Sequence, residues 1–461
     1  MSISAQQHQL RASIHTLGCK LNYAESADLK ERFERLGYAI VPFGEATDVI
    51  VVNTCTVTEQ ADTECRKIIR RGLRTSPDAV VAVTGCYAQL QPEEIASIDG
   101  VKGIFGAAEK TSIPDRIDEL RTTVSPRIYV SELTDDLAFV PARSSDSDSR
   151  TRAFVKLQDG CDYSCTFCTI PLARGHSRSM DYDKVMHEMA DLERTGYSEV
   201  VLTGINLGEY RSVTGERLID VMKAVDARSP SFRIRISSIE PNTVRQEHID
   251  LVASSSVFCH HFHLPLQHGS ADLLRAMRRR YNPDMYRDVV NRIVASMPHA
   301  AIGVDVIVGF PGETDALFEE SCDFIASLPF TYLHVFTYSE REHTPAASLP
   351  DPVPMRLRRA RTARLRALSD RRRDEFQRRF EHTVQYVVPE AFDHTTSTWS
   401  GWTSNYVRVR FEGPSTLLKR RYRVLLGIAS EGVVDASLLE AVELRTMPVM
   451  IDIPVHQEAV Q

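Results

Sequence analysis

The chain has 461 residues, 43% hydrophobic and 25% charged, and a formal net charge of −7. That length exceeds the ~250–300 residues one core supports and calls for two to four domains, with the composition of a soluble globular protein. The charge excludes a globally basic nucleic-acid binder, no apolar run reaches the ~18 residues that cross a bilayer, and the polar start, Met1 to Ser13, lacks the apolar core of a signal peptide. The expected setting is cytoplasmic with no membrane association, where nine cysteines point to metal or catalytic chemistry and not to a disulfide framework.

Residues 12–125 read as a first domain of repeated strand–helix units. Ser13–Leu17, Asp48–Asn53 and Val80–Thr84 are short apolar runs, with helical patterns at Ala24–Leu36 and Thr58–Arg74. This alternation predicts a parallel sheet with crossover helices. A cysteine follows each run: Cys19 in TLGCKLN, Cys55 in VVNTCTV and Cys86 in VTGCYAQ. The carboxyl ends of parallel strands share one edge, where such folds bind ligands. Three cysteines more than thirty residues apart can therefore meet there, although burial in a core is the other reading. Cys65, Cys259 and Cys322 read as core residues.

Residues 126–150 are polar and aperiodic, ending in Arg143-Ser144-Ser145-Asp146-Ser147-Asp148-Ser149-Arg150, and read as a linker with one strand at Arg127–Val130. Strand–helix alternation resumes over residues 151–345. Strands are predicted at Ala153–Leu157, Glu199–Thr203, Phe232–Ser237, His260–Leu264, Ala301–Val308 and Tyr332–Thr337. Six such units suit a partial (β/α)6 barrel, with its site at the carboxyl ends of the strands.

The loop after the first barrel strand carries Cys161, Cys165 and Cys168 at C-x₃-C-x₂-C spacing, with Phe167 before the last. Three neighbouring thiolates can hold an iron–sulfur cube and leave its fourth iron open for chemistry. A zinc knuckle is the competing reading, but structural zinc wants four ligands and no second C-x₂-C pair exists. Later strand ends carry Thr203, Gly204 and Asn206, then Ser237 and Glu240, then Gln267 and His268, then Asp305 and Gly309. Glycines let backbone approach a ligand, and the polar side chains can reach ribose, carboxylate or base.

The connecting segment 346–381 carries eleven arginines between Met355 and His382. A narrow seam of Leu357, Ala360, Arg364, Leu365, Leu368 and Phe376 predicts a helix. Its arginines, Arg356 and Arg359 among them, read either as a solvated face or as phosphate ligands. Residues 382–445 switch to period-two patterning at Thr383–Pro389, Tyr406–Arg410, Tyr422–Ile428 and Ser437–Val442, which predicts a small oligonucleotide-binding-like β-barrel. Trp399, Trp402 and Tyr406, near Arg408, suit base stacking or equally a barrel core.

The Cys161–Cys165–Cys168 motif resembles the signature of the radical S-adenosylmethionine (SAM) superfamily. Together with TLGCKLNYAES, VVNTCTVT, VTGCYAQ, GCDYSCTFCTIPLARGHSRS, LTGINLGEY, RISSIEP and DVIVGFPGET, it is similar to the radical SAM methylthiotransferases from about Ala12 to Val442. The resemblance implies an α/β protein with a parallel-sheet domain, a partial radical SAM barrel and a closing TRAM barrel. It implies two 4Fe-4S clusters, an auxiliary one on Cys19, Cys55 and Cys86 and a SAM-binding one on Cys161, Cys165 and Cys168. Phe167, Thr203, Gly204, Asn206, Ser237, Glu240, Asp305 and Gly309 would then contact SAM. One SAM would donate a methyl group to sulfur, and another would yield the radical that opens an unactivated C–H bond. A low-potential electron donor and a sulfur donor are implied partners.

The opening TLGCKLNYAES resembles the branch acting on N6-threonylcarbamoyladenosine beside the tRNA anticodon. Gln267, His268, Arg356, Arg359, Trp399, Trp402, Tyr406 and Arg408 are the expected substrate contacts. His268 departs from the family's usual serine. The alternatives are action on isopentenyladenosine tRNA or a ribosomal protein, and, more distantly, a non-catalytic iron–sulfur RNA-binding protein.

Overall fold

A computed structural model describes residues 9–134, 137–143, 151–417 and 420–441. Its first sheet has six parallel strands: β1 (Arg11–Thr16), β2 (Ala39–Ile40), β3 (Val49–Thr54), β4 (Val80–Gly85), β5 (Val101–Phe105) and β6 (Arg127–Tyr129). They lie in the order β2-β1-β3-β4-β5-β6. Every residue of β3 and β4 is buried, as expected for β-branched runs covered on both faces. Alternation then sorts the side chains. Ile50, Val52, Val81 and Val83 pack with Cys65, Ile68 and Ile69 of α2 (Glu59–Thr75). Val49, Val51, Val80 and Ala82 pack on the opposite face with Leu29 and Phe33 of α1 (Lys20–Arg35).

The three strands read from sequence form the middle of this sheet. The strand expected inside the linker pairs in parallel with β5 as its outer edge. Residues 144–150 of the expected linker lie outside the described residues.

Six further strands follow: β7 (Arg152–Lys156), Glu199–Thr203, Arg233–Ile236, His261–Gln267, Ala301–Val308 and Tyr332–Thr337. They form two three-stranded sheets. Isolated parallel bridges, Ile234 to Phe258 and Ser238 to His263, link the third and fourth strands. This is the expected partial six-stranded barrel. The last strands form a closed barrel in the order Val384–Asp393, Thr398–Thr403, Arg408–Glu412, Val433–Ala441, Tyr422–Ser430. Its second strand, Thr398–Thr403, is the one the sequence pattern missed, because serine, glycine and threonine break its apolar alternation. Val442 of the predicted last strand lies outside the described residues.

By contact density the chain forms two units. One combines the first sheet with Phe154–Arg178 and Ser339–Ser348, and the other holds the remaining barrel strands, the arginine-rich helix and the closed barrel. In the second unit, Glu199 is fully buried between Arg233 and Arg235. Arg233 Nε donates to Glu199 at 2.6 Å and Arg235 Nε at 2.9 Å. The same guanidinium groups donate to the Tyr386 and Trp402 carbonyls and to those of Thr403 and Ser404. Two arginines thus fasten the closed barrel to the strand bearing them.

The arginine-rich helix spans Met355–Arg378. Its buried face is not the apolar seam expected: Leu365 and Phe376 are buried, but so are Arg358, Arg361, Thr362 and Ser369. Arg358 donates to the Tyr338 and Val353 carbonyls, and Arg361 to Glu313 at 2.6 Å. Arginine can be buried there because each guanidinium is bonded to an acceptor.

Glu199→Gln would leave Arg233 and Arg235 buried against a neutral partner. A loss of roughly 3–5 kcal/mol is expected, measured by chemical denaturation, whereas Arg356→Ala on the exposed face should leave stability within about 0.5 kcal/mol of wild type.

Candidate active site

All six cysteines of the two predicted sets fall in the first unit. Cys19 caps the start of α1, Cys55 directly follows β3, and Cys86 opens the short helix α3 (Cys86–Leu90) directly after β4. Their common position is a consequence of the parallel sheet, whose carboxyl ends share one edge. Two glycines allow the close approach. Gly18 has φ +95°, and a Cβ there would stand 2.6 Å from the Cys55 Cβ and 2.9 Å from its Sγ. Gly85 has φ +101°, and its Cβ would lie 2.3 Å from the Thr54 carbonyl oxygen.

Burial pushes the Cys55 thiol up to about 12, and the nearby Cys86 and Cys19 push in the same direction. Burial also raises Cys86, against the opposing influence of Arg174. A thiol set in which Cys55 and Cys86 are both pushed up suits a polynuclear cation, which deprotonates its ligands and neutralises their repulsion. The donor set therefore fits an iron–sulfur cluster. Cys65 is fully buried and donates its thiol to the Cys55 carbonyl, so it packs beneath the set as a core residue. Cys259 and Cys322 are also buried.

The second loop is tightly folded. Gly160 has φ +70°, and a Cβ there would meet the His176 carbonyl oxygen at 2.0 Å. The Cys161 amide donates to the Gly175 carbonyl at 3.1 Å, and the Asp162 carboxylate accepts from the Ser177 amide at 3.0 Å. The Tyr163 amide donates to Cys161 Sγ at 3.4 Å. Cys165 is buried, while Cys161 and Cys168 are half-buried, as is Phe167.

The predicted SAM contacts beyond this loop lie in the second unit. Thr203, Asn206 and Ser237 are buried, and Gly204 is half-buried. Glu240 pairs with Arg279. Asp305 lies 3.0 Å from His263 Nε2 and 3.2 Å from His334 Nδ1. Although burial opposes it, the two histidines hold its carboxyl well below the usual range. Gly309 has φ +83°, and its amide donates to the Glu313 carboxylate at 2.8 Å.

Several expected substrate contacts are placed otherwise. His268 is buried, 3.3 Å from Glu313, and its Nδ1 accepts from the Ser270 amide at 3.0 Å; it braces a loop. Gln267 sits at a strand irregularity with φ +67°. Tyr406 is half-buried: its ring stacks between Trp402 at 4.3 Å and His261 at 4.4 Å, with the Arg235 guanidinium 5.0 Å above it. Trp399 donates its indole N–H to the Pro414 carbonyl and tilts against Phe392. Arg356, Arg359 and Arg408 are exposed.

The sequence reading missed a buried charged network in the first unit. Arg174 donates to Asn22 at 2.7 Å and to Glu25 and Asp159 at 2.9 Å. Lys156 stands 3.2 Å from Glu25 and 3.3 Å from Asp159, and Lys110 pairs with Glu25. Burial alone would raise the Glu25 carboxyl, but Arg174, Lys110 and Lys156 outweigh it and hold it well below its usual value. Asn22 and Glu25 lie within TLGCKLNYAES and Arg174 within TIPLARG, so proximity to the cysteines was the available signal.

Comparison with known proteins bears on this arrangement. Residues 11–106 match the uncharacterized protein family UPF0004, and residues 155–325 match the radical SAM superfamily. A Bacillus subtilis protein, "Threonylcarbamoyladenosine tRNA methylthiotransferase MtaB", is 38% identical over 94% of this chain and 97% of its own length. This chain belongs to the radical SAM methylthiotransferase family. The methylthiotransferase is also similar, at 29% identity over 94% of this chain and 86% of the relative, to a Bacillus pumilus "tRNA-2-methylthio-N(6)-dimethylallyladenosine synthase". Among solved structures, the radical SAM methyltransferase TsrM from Kitasatospora setae, with cobalamin and a [4Fe-4S] cluster bound, superposes with a TM-score of 0.54. It covers 73% of this chain and 77% of its own at 18% identity, a likeness of fold. Among the described residues no helix of the methylthiotransferase is long and apolar enough to cross a membrane.

Gly18→Ala should drive a methyl group into Cys55 and disable the three-cysteine set alone. The expected outcome is a lower iron content than that of the parent protein after anaerobic reconstitution, counted by iron and acid-labile sulfide analysis.

Proposed function

We propose that the enzyme transfers a methylthio group to carbon 2 of N6-threonylcarbamoyladenosine next to the tRNA anticodon, using two SAM molecules and two 4Fe-4S clusters. In this reading residues 12–125 hold an auxiliary cluster through Cys19, Cys55 and Cys86. Residues 151–345 hold a SAM-binding cluster through Cys161, Cys165 and Cys168, residues 346–381 connect, and residues 382–445 form the TRAM barrel. When bound, these groups would supply the radical, the methyl group and the exchangeable sulfur.

The observation that carries the reading is the gathering of Cys19, Cys55 and Cys86 at one sheet edge, close enough that Cys86 and Cys19 both raise the Cys55 thiol. The protein's own residues hold and shield the reacting groups. Gly18 and Gly85 bring the cysteine loops together, and Asp162 with the Gly175 carbonyl fixes the second loop.

The choice of nucleoside is supported by the higher identity to the threonylcarbamoyladenosine enzyme, 38% against 29% for the dimethylallyladenosine one. For tRNA contact, the exposed Arg356, Arg359, Arg371 and Arg378 of the long helix are available to phosphate, whereas Arg358 and Arg361 are committed to the fold. A cytoplasmic location, a low-potential electron donor and a sulfur donor complete the reading.

Mass spectrometry of tRNA nucleosides from cells with and without the gene tests the substrate. Loss of 2-methylthio-N6-threonylcarbamoyladenosine in the deletion strain is expected; loss of the isopentenyl derivative alone would move the enzyme to the other branch. Replacing Arg356, Arg359, Arg371 and Arg378 with Ala should weaken tRNA binding and flatten the slope of log K against log salt. An unchanged slope in a filter-binding titration would return the helix to a solvated face.

A further inference from the structure

Among the described residues of the first unit, Arg174 belongs to the segment of one cysteine set and bonds residues beside the other. Arg174 is the last residue of the helix Ile170–Arg174, six positions after Cys168, and is 3% exposed. Its helix packs against α3, which begins with Cys86. Three acceptors hold the guanidinium: Asn22, Glu25 and Asp159. Its Nε is buried and has no hydrogen-bond partner among the described residues.

Asn22 extends this hold to the other two cysteines. Its amide nitrogen donates to the Leu17 carbonyl at 2.8 Å and to the Thr54 carbonyl at 3.0 Å, directly before Cys55. Its oxygen, besides accepting from Arg174, lies 3.8 Å from Cys19 Sγ. One amide therefore ties the Cys19 and Cys55 loops together and links both to Arg174. Glu25 and Asp159 do not exhaust the positive charge of the network, because Lys110, Lys156 and Arg178 also bind them. Burial with excess positive charge leaves Arg174 able to act on thiolates beside it. Consistently, Arg174 opposes the rise that burial imposes on Cys86.

We propose that Arg174 is a positioning residue for the auxiliary cluster, which Asn22, Glu25 and Asp159 aim at the Cys86 side of the three-cysteine set. There its charge and unpaired N–H offset the negative charge of the ligand sulfurs. Charge and hydrogen bonds at cluster sulfurs set the reduction potential, so Arg174 makes the auxiliary cluster easier to reduce and slower to lose. The inference rests on the two-cluster reading.

The test uses the full-length chain with Cys161, Cys165 and Cys168 all changed to Ala, so that only the auxiliary set remains. Iron content and an EPR-monitored redox titration are measured after anaerobic reconstitution. Adding Arg174→Gln should shift the midpoint potential downward and lower cluster retention at least twofold. Arg174→Lys, which keeps the charge, should recover much of both and covers the case in which the Gln variant folds poorly. Lys156→Met, in the same network but on its Glu25 and Asp159 side, should shift the potential less than Arg174→Gln does. The proposal is overturned if Arg174→Gln leaves potential and iron content at the parent values, or if Lys156→Met shifts the potential equally. A triple-Ala parent that holds no iron while Arg174 is intact would instead overturn the two-cluster reading, and this inference with it.

Discussion

Cys19, Cys55 and Cys86 are drawn to one sheet edge where Cys55 and Cys86 resist becoming thiolates, and the surroundings of the three are organised by that constraint. Two glycines with positive φ remove the side chains that would hold the loops apart. Cys65 fills the space beneath Cys55 and bonds its carbonyl, and Asn22 fastens two of the loops by their backbone. The sheet supplies the position and the loops supply the closeness. A metal cluster suits such a set because it removes the protons and the repulsion at once.

The same physical device recurs among the described residues: a buried carboxylate surrounded by more than one cation. Glu25 is held by Arg174, Lys110 and Lys156, and Glu199 by Arg233 and Arg235. Asp159 meets Lys156, Arg174 and Arg178. Each occupies a place where an apolar contact would pack but would not fix an orientation. Breaking such a group leaves an uncompensated buried charge, so these positions are intolerant even where their net contribution to stability is small. They also account for part of the arginine content that sequence inspection assigns to RNA. Arg358 and Arg361 are spent on carbonyls and carboxylates of the fold.

Strand–helix alternation, the position of each cysteine after a strand and the C-x₃-C-x₂-C spacing were legible because they are local and periodic. The edge strand Arg127–Tyr129 was legible from its short apolar run, but its place beside β5 was not. The strand Thr398–Thr403 escaped because its partners, not its own composition, make it a strand. His268 stood out as a polar residue in a loop and Tyr406 as an aromatic residue opening a predicted strand. The structure adds that His268 is buried against Glu313 and that Tyr406 stacks on His261 and Trp402.

By itself the sequence determined the fold class, the two cysteine sets and the family, since these depend on residue type and spacing along the chain. Only the tertiary structure decided which arginines remain exposed, which aromatics are already stacked, and that Arg174 and Asn22 join the cysteine loops. Those outcomes depend on contacts between residues as far apart as 152 positions, as Asn22 and Arg174 are, and no local pattern records such a pairing.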